Sequence, residues 1–295
     1  MVQGPAAVAA PGRGRGRAVT ALLLTPTSLW YLLLLLVPLA ILIVFSFGER
    51  SPVGGYHPGL TLENYLRLPT RQAAFVNTLV LAVASTALCA LLGYPLAYYL
   101  ATRAGSRRTL LLILIALPFL TSFLIRTYAW FTILGANGIP AILGALGVSP
   151  RPVLLNTHFA ILIGIVYNYL PLMVFPLYVS LERLDKRLLE ASKDLGAGRW
   201  ATFRQVTLPL SAPGLISGAL LVFIPMMGEY IIPNMLGGGK VFFVGNALVD
   251  LFLQSRNWPF GSAAAIGLIM VVLITVSIYL FLTSRGRVQR EVSQL

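Results

Sequence analysis

Residues 184–209 read LDKRLLEASKDLGAGRWATFRQVTLP, a polar stretch that lies between two strongly apolar segments. Its apolar residues recur at i, i+4, i+7 and i+11, which places them on one face of a helix. They are Leu184, Leu188, Ala191 and Leu195, and the charged residues between them fall mostly off that face. The first part of the stretch is therefore predicted to be an amphipathic helix.

The second part of the stretch contains a turn. Gly196 and Gly198 interrupt the helix, because glycine costs about 1 kcal/mol relative to alanine in a helix interior and readily permits a turn. A second short helix is expected over residues 199–206, ended by Pro209 and Pro213. Residues 182–209 are therefore predicted to form a helix–turn–helix elbow. The plainer interpretation is an ordinary amphipathic loop at a membrane surface.

The composition places the rest of the chain in a bilayer. Of 295 residues, 57% are hydrophobic and only 11% are charged, whereas soluble domains carry about 25% charged residues. The net charge of +13 does not indicate a nucleic-acid partner, because the basic residues are scattered between apolar runs. Cys89 is the only cysteine, and His57 and His158 are isolated, so neither a disulfide framework nor a metal site is expected.

Apolar runs predict an all-α protein with six transmembrane helices. Each run reaches the ~20 residues that a bilayer core requires. The first uncharged run, 18–48, is too long for a signal peptide and is expected to stay as a membrane helix. It follows a disordered basic tail, 1–17, and precedes an external loop, 49–72, and a core, 73–284, while 285–295 form a second tail. The predicted helices cover 19–47, 73–101, 109–134, 155–181, 212–236 and 261–284.

The distribution of basic residues predicts the orientation. Of the 22 lysines and arginines, 15 lie in the two tails, the loop between the second and third helices, and the elbow. Six lie in the opposite loops, and the remaining one is Arg126. Because basic residues are enriched in cytoplasmic loops, both termini and the elbow are predicted to be cytoplasmic.

The elbow also carries a spaced pattern: Glu190-Ala191-Ser192, Gly196 and, after nine further residues, Val206-x-Leu208-Pro209. This pattern resembles the EAA loop of ABC-importer permeases, E-A-A-x3-G-x9-I-x-L-P, with serine and valine as the two departures. In that family the loop docks into a groove on a separate cytoplasmic ATPase, and an apolar helix face suits such a groove. The resemblance implies an ATPase-coupling set: Asp185, Leu188, Glu190, Ala191, Ser192, Leu195 and Gly196.

Further motifs, spread over 20–284, resemble the permeases of spermidine/putrescine importers. They include Gly228-Glu229-Tyr230-Ile231-Ile232-Pro233 and Asn257-Trp258-Pro259-Phe260. The resemblance implies a type I importer permease in the bacterial inner membrane, paired with a second permease, an ATPase dimer and an extracytoplasmic binding protein. Related permeases carry other organic cations, phosphonates or iron, so these substrates stay open. ATP and Mg²⁺ would be bound by the partner, and no cofactor is expected in this chain.

Two charges lie within the predicted spans. Arg126 lies eighteen residues after Arg108, about 27 Å along its helix, and it either extends to the outer headgroups or serves the path. Glu229, at similar depth, either pairs with Arg126 or offers a carboxylate to a substrate ammonium. Aromatic residues could supply cation–π faces for an amine, namely Tyr230, Tyr167, Trp130 and Tyr169.

No enzymatic activity is predicted for this chain. Gly237-Gly238-Gly239-Lys240 resembles the end of a phosphate loop, but Val241 replaces the required serine or threonine and no strand precedes it. A secondary carrier is one alternative, although no clear inverted repeat is visible, and a channel subunit is another. Gly214 and Gly218 form a GxxxG pair that predicts close helix packing.

Overall fold

The computed structural model describes residues 13–239 and 242–292, with side chains for 22–239, 242–281 and 283. This part of the chain is almost entirely helical, and a small antiparallel ribbon, β1 Glu49–Arg50 and β2 Tyr56–His57, follows the first helix. The helices are α1 Arg13–Ser46, α2 Glu63–Leu66, α3 Gln72–Thr102, α4 Arg108–Phe119, α5 Phe123–Leu134, α6 Ile139–Ala145, α7 His158–Glu182, α8 Lys186–Asp194, α9 Arg199–Thr202, α10 Leu208–Met227, α11 Ile231–Gly237, α12 Val244–Val249 and α13 Trp258–Val292.

Six apolar helical stretches in the described chain are long enough to cross a membrane, as predicted. Their central packing unit is formed by α3, α7 and α10, each of which packs on the other two. A Cβ atom on Gly214 would lie 2.5 Å from the carbonyl oxygen of Pro176, and one on Gly218 would lie 2.8 Å from the sulfur of Met173. The close approach of α10 to α7 therefore requires both glycines, and the GxxxG prediction is confirmed.

The predicted third helix, 109–134, is wrong as one continuous element. It is divided into α4 and α5, because Pro118 lacks the amide of a regular helix and Ser122 adopts an extended backbone (φ −56°, ψ 133°). The Thr121 amide and hydroxyl both donate to the Pro118 carbonyl oxygen, at 3.1 and 2.7 Å. The loop predicted after this helix also contains α6, and the third apolar stretch runs over Phe123–Ala145 instead.

The predicted end of the elbow's second helix is also wrong. Instead of stopping at Pro209, the helical path continues from α9 through a π-helical turn, Phe203–Thr207, directly into α10. Pro209 lies in the first turn of α10, directly after the π-helical turn. One apolar helical stretch thus extends over Arg199–Met227.

The predicted fifth helix, 212–236, is wrong at its far end. The chain leaves the helical path at Gly228 after α10 and re-enters it in α11, so Glu229 lies in a break between two helices. The loop expected over 237–259 contains α12 and a second π-helical turn, Asp250–Gln254. Lys240 and Val241, part of the phosphate-loop comparison, lie outside the described residues.

Both predicted tails are partly helical. The first helix begins at Arg13 and the last continues to Val292, so residues 13–17 and 285–292 extend the adjoining membrane helices. The rest of the predicted tails, 1–12 and 293–295, lies outside the described residues.

Candidate functional site

The first arm of the elbow, α8, is held at both ends by local hydrogen bonds. Asp185 is its N-cap, and its carboxylate accepts a bond from the Arg187 amide at 2.9 Å. At the other end Gly196 adopts a left-handed backbone (φ 81°). Its amide donates to the Lys193 carbonyl at 2.8 Å, and the Ala197 amide donates to the Ser192 carbonyl at 3.1 Å. This is a Schellman motif, and it confirms the turn predicted at Gly196.

The outward face of α8 is apolar and uncovered. Leu188 is 47% exposed and Leu195 is 89% exposed, while Ala191 and Glu190 are exposed beside them. Leu184, which was predicted on the same face, precedes the helix and is half-buried. Exposed apolar residues grouped on one helix typically mark a binding surface. We call Leu188, Ala191 and Leu195, together with Glu190 on the adjoining side of the helix, the docking face.

Ser192 does not belong to the docking face. It is half-buried, and its hydroxyl lies 3.1 Å from the hydroxyl of Thr202, which is 7% exposed on α9. The predicted coupling set therefore separates into two groups by structure. One group is outward-facing, and the other, Asp185, Ser192 and Gly196, shapes the elbow.

Aromatic contacts connect the elbow to the helical core. Trp200 stacks on Phe203 at 5.4 Å, and Phe203 meets the edge of Tyr94 on α3, also at 5.4 Å. The Tyr94 hydroxyl lies 2.7 Å from the hydroxyl of Ser211 on α10. Packed side chains thus connect the elbow to α3 and α10.

The break between α10 and α11 is organised by the Glu229 carboxylate. One carboxylate oxygen accepts bonds from the amides of Ile231 and Ile232, at 2.8 and 3.2 Å. The other accepts a bond from the Tyr169 hydroxyl of α7 at 2.6 Å. Glu229 is 9% exposed. The carboxylate therefore satisfies two amides at the start of α11 and ties the break to α7.

Arg126 is buried in the same region but does not pair with Glu229. Among the described residues no carboxylate oxygen lies within 4.0 Å of its guanidinium, so the predicted ion pair is wrong for this structure. Its guanidinium carbon lies 5.5 Å from the Phe119 ring centroid and 5.9 Å from that of Phe123. The side chain is 7% exposed, which also contradicts an arginine extended towards headgroups.

Arg126, Tyr169 and Glu229 lie close together in one buried layer, and the ring of Phe123 separates Arg126 from Tyr169. The ring of Phe123, on which Arg126 lies, meets the edge of Tyr169 at 6.4 Å. Two nitrogens of Arg126, Nε and Nη1, are buried without a hydrogen-bond partner in the described part of the chain. Tyr169 was predicted as an aromatic face, but its bond to Glu229 joins residues 60 positions apart and has no local sequence signal.

The structure does not bring Tyr167 to this layer. Tyr167 is 38% exposed, and its ring meets the edge of Trp130 at 5.6 Å on another side of α7. Tyr230, directly after Glu229, is 40% exposed. Of the four predicted path residues, Glu229 and Arg126 share the buried layer, while Tyr230 and Tyr167 face outward at separate places.

Comparison with known proteins identifies close sequence relatives. The chain is 42% identical over 254 residues to the spermidine/putrescine transport system permease protein PotB of Haemophilus influenzae, covering 85% of this chain and 89% of the relative. It is 40% identical over 254 residues to the protein of the same name from Escherichia coli K12, covering 85% and 92%.

Solved structures share the fold at lower identity. A bacterial ABC transporter that imports the acidic polysaccharide alginate matches with a TM-score of 0.73 and 19% identity, over 92% of this chain and 96% of that one. The alginate transporter in complex with its pentasaccharide-bound periplasmic protein matches with a TM-score of 0.67 and 18% identity, over 90% and 93%. Residues 6–288 match a family of transport proteins. The chain belongs to that family, the inner membrane components of binding-protein-dependent transport systems.

Proposed function

We propose that this chain is one permease subunit of an ATP-driven importer of polyamines such as putrescine and spermidine. The observation that supports this substrate is the 40–42% identity to spermidine/putrescine permeases over 85% of the chain. The chain would pair with a second permease, bind an ATPase dimer at the elbow and receive its substrate from a binding protein on the opposite side. A permease for another small solute is the second candidate, because the family match by itself does not specify the substrate.

The docking face supports the coupling role. It presents exposed leucines next to Glu190 on a helix that is fixed at both ends. A groove on the ATPase would cover the leucines, and a basic residue at its rim would pair with Glu190. If the elbow meets a cytoplasmic ATPase, the elbow and both termini lie in the cytoplasm, which agrees with the positions of most basic residues.

The connection of the elbow to the bundle suggests how coupling works. The elbow is continuous with α10, and α10 is packed against α7 at Gly214 and Gly218. ATP would close the ATPase dimer and move the elbows of the two permeases towards each other. The α7–α10 pair would then turn as one body and expose the path to the other side. ATP would shift the equilibrium between the two orientations of the path only because it changes the contacts at the docking face.

At the other end of α10 we place the residues of the path. Glu229 would supply negative charge near the substrate ammonium, with Arg126 as the resident cation one aromatic layer away. Tyr230, directly after Glu229, would offer a ring face to an amine. Because Glu229 also holds the start of α11, its charge and its hydrogen bonds have to be tested separately.

Uptake of labelled putrescine and spermidine into proteoliposomes tests the proposal. The vesicles contain this chain, its partner permease, the ATPase and the binding protein. We expect saturable, ATP-dependent uptake that Leu195→Asp abolishes together with ATPase binding. Leu60→Asp is the matched control, because Leu60 is 93% exposed and Leu195 is 89% exposed, but Leu60 lies in the loop after α1. ATP hydrolysis that is coupled normally but moves no polyamine would refute the substrate and keep the permease.

A further inference from the structure

A cavity of about 180 Å³, lined by both polar and apolar groups, lies beyond the far end of α10. Since α10 has 20 residues, it separates this cavity from the elbow by about 30 Å. The cavity adjoins the Glu229 break, because α12 packs so tightly on it that a Cβ on Gly245 would lie 2.7 Å from the Glu229 carbonyl oxygen. Six side chains that line the cavity carry polar or aromatic groups: Tyr230, Asn234, Phe242, Asn246, Asp250 and Gln254.

The Asp250 carboxylate is the acidic group of the cavity. Asp250 is the only charged residue among the described residues that line it. No hydrogen bond or ion pair to another described residue engages the Asp250 carboxylate. The amide nitrogen of Asn246 donates to the Tyr230 carbonyl at 3.4 Å, which leaves its Oδ1 buried and without a partner in the described chain. An alkylammonium group, with three donors and no acceptor, is complementary to the Asp250 carboxylate.

The backbone places these polar groups on one side. Asn246, Asp250 and Gln254 follow each other at intervals of four residues, and the last two begin and end a π-helical turn. Such turns are rare and are found frequently at functional sites. The π-helical turn places Asp250 and Gln254 at its two ends, beside the cavity.

The aromatic residues of the cavity suit the same chemistry. Tyr230 and Phe242 are each 40% exposed, so their rings remain accessible. The guanidinium carbon of Arg71 lies 5.6 Å from the Phe242 ring centroid, so this ring already accepts a cation on one face. An ammonium bound between Asp250 and the rings would combine ion pairing with a cation–π contact.

We propose that this cavity binds one terminal ammonium of the substrate, with its short alkyl chain, at the face remote from the elbow. Its volume is below the ~300 Å³ that encloses a drug-sized ligand, so it would take one end of an extended amine. The proposal rests on the proposed function in that the ligand is an amine. The proposal adds a site on the permease itself that holds the amine without the help of the binding protein.

Equilibrium dialysis of labelled putrescine against the purified permease–ATPase complex in nanodiscs, without the binding protein, tests this site directly. We expect Asp250→Asn to weaken binding at least about tenfold, as for the loss of one charge-assisted contact. Asp250→Glu, which keeps the carboxylate, should retain most of the binding. Glu63→Gln is the matched control, since Glu63 is an exposed acid on the same side whose carboxylate pairs with Arg67 at 2.5 Å.

Competition identifies the part of the ligand that is bound. Butylamine, which has one ammonium, should displace putrescine, whereas 1-butanol should not. Equal binding by Asp250→Asn and the unaltered chain would overturn the site, as would failure of butylamine to compete. If the complete importer carries polyamines but the complex binds none by itself, the site is wrong and the proposed function stands. If the importer carries no polyamine, the proposed function and the site both fail.

Discussion

Gly196→Ala tests whether the geometry of the elbow controls coupling. Gly196 has a φ of 81°, and a Cβ atom there would meet nothing within 4 Å. The substitution therefore introduces no clash with neighbours, and its cost is that of a left-handed backbone, about 1–2 kcal/mol for a residue with a Cβ. This corresponds to a factor of about 5–30 in the equilibrium constant between the native turn and its alternatives.

Gly198→Ala is the matched control. Gly198 also has open space around its Cβ position, but its φ of −67° is accessible to alanine without strain. Gly196→Asn gives an intermediate, because asparagine tolerates the left-handed region better than alanine. At position 196 we expect the largest loss of function with alanine, a smaller loss with asparagine and none with the native glycine. Gly198→Ala should cause no loss.

The assay measures transport and hydrolysis together. In proteoliposomes with all four components, Gly196→Ala should lower substrate-dependent uptake, with thirtyfold as about the upper limit that the strain allows. ATP hydrolysed per molecule transported should rise. Hydrogen exchange should be faster at the Gly196 and Ala197 amides, whose bonds to Lys193 and Ser192 close the turn. Unchanged uptake by Gly196→Ala, or an equal loss with Gly198→Ala, would refute the argument.

Two further predictions concern the helical core. Glu229→Gln should fold normally, since its amide oxygen still accepts the Ile231 and Ile232 amides, but it should slow polyamine uptake. Glu229→Ala should also lower the melting temperature, because two amides and the Tyr169 hydroxyl lose their acceptor, about 1–3 kcal/mol for each buried group. Normal uptake by Glu229→Gln would exclude a role for the charge. Gly214→Ala should destabilise the complex by about 1–3 kcal/mol through overpacking, measured as its thermal midpoint. Gly267→Ala should not lower the thermal midpoint, because its Cβ would lie 3.4 Å from the nearest atom. Equal thermal midpoints for the two variants would contradict the packing argument.

Local signals carried the membrane class, the six apolar stretches, the close packing at Gly214 and Gly218, and the turn at Gly196. Hydropathy acts over about twenty consecutive residues, and a glycine after an amphipathic helix is a local backbone preference. The same local signals failed where a helix is interrupted inside an apolar run. The breaks after Pro118 and at Gly228 lie inside long and mostly apolar runs, so α4–α5 and α10–α11 each looked like one helix.

The sequence by itself therefore determined that this protein is a multi-pass membrane protein with an exposed amphipathic elbow. Tertiary structure alone decided which partner each buried polar group has. It paired Glu229 with Tyr169 and the α11 amides instead of Arg126, turned Ser192 towards Thr202, and placed Asp250 in a cavity with Tyr230. The physical reason is that charge and burial require a buried polar group to find a partner, whereas the partner's identity depends on how distant helices pack.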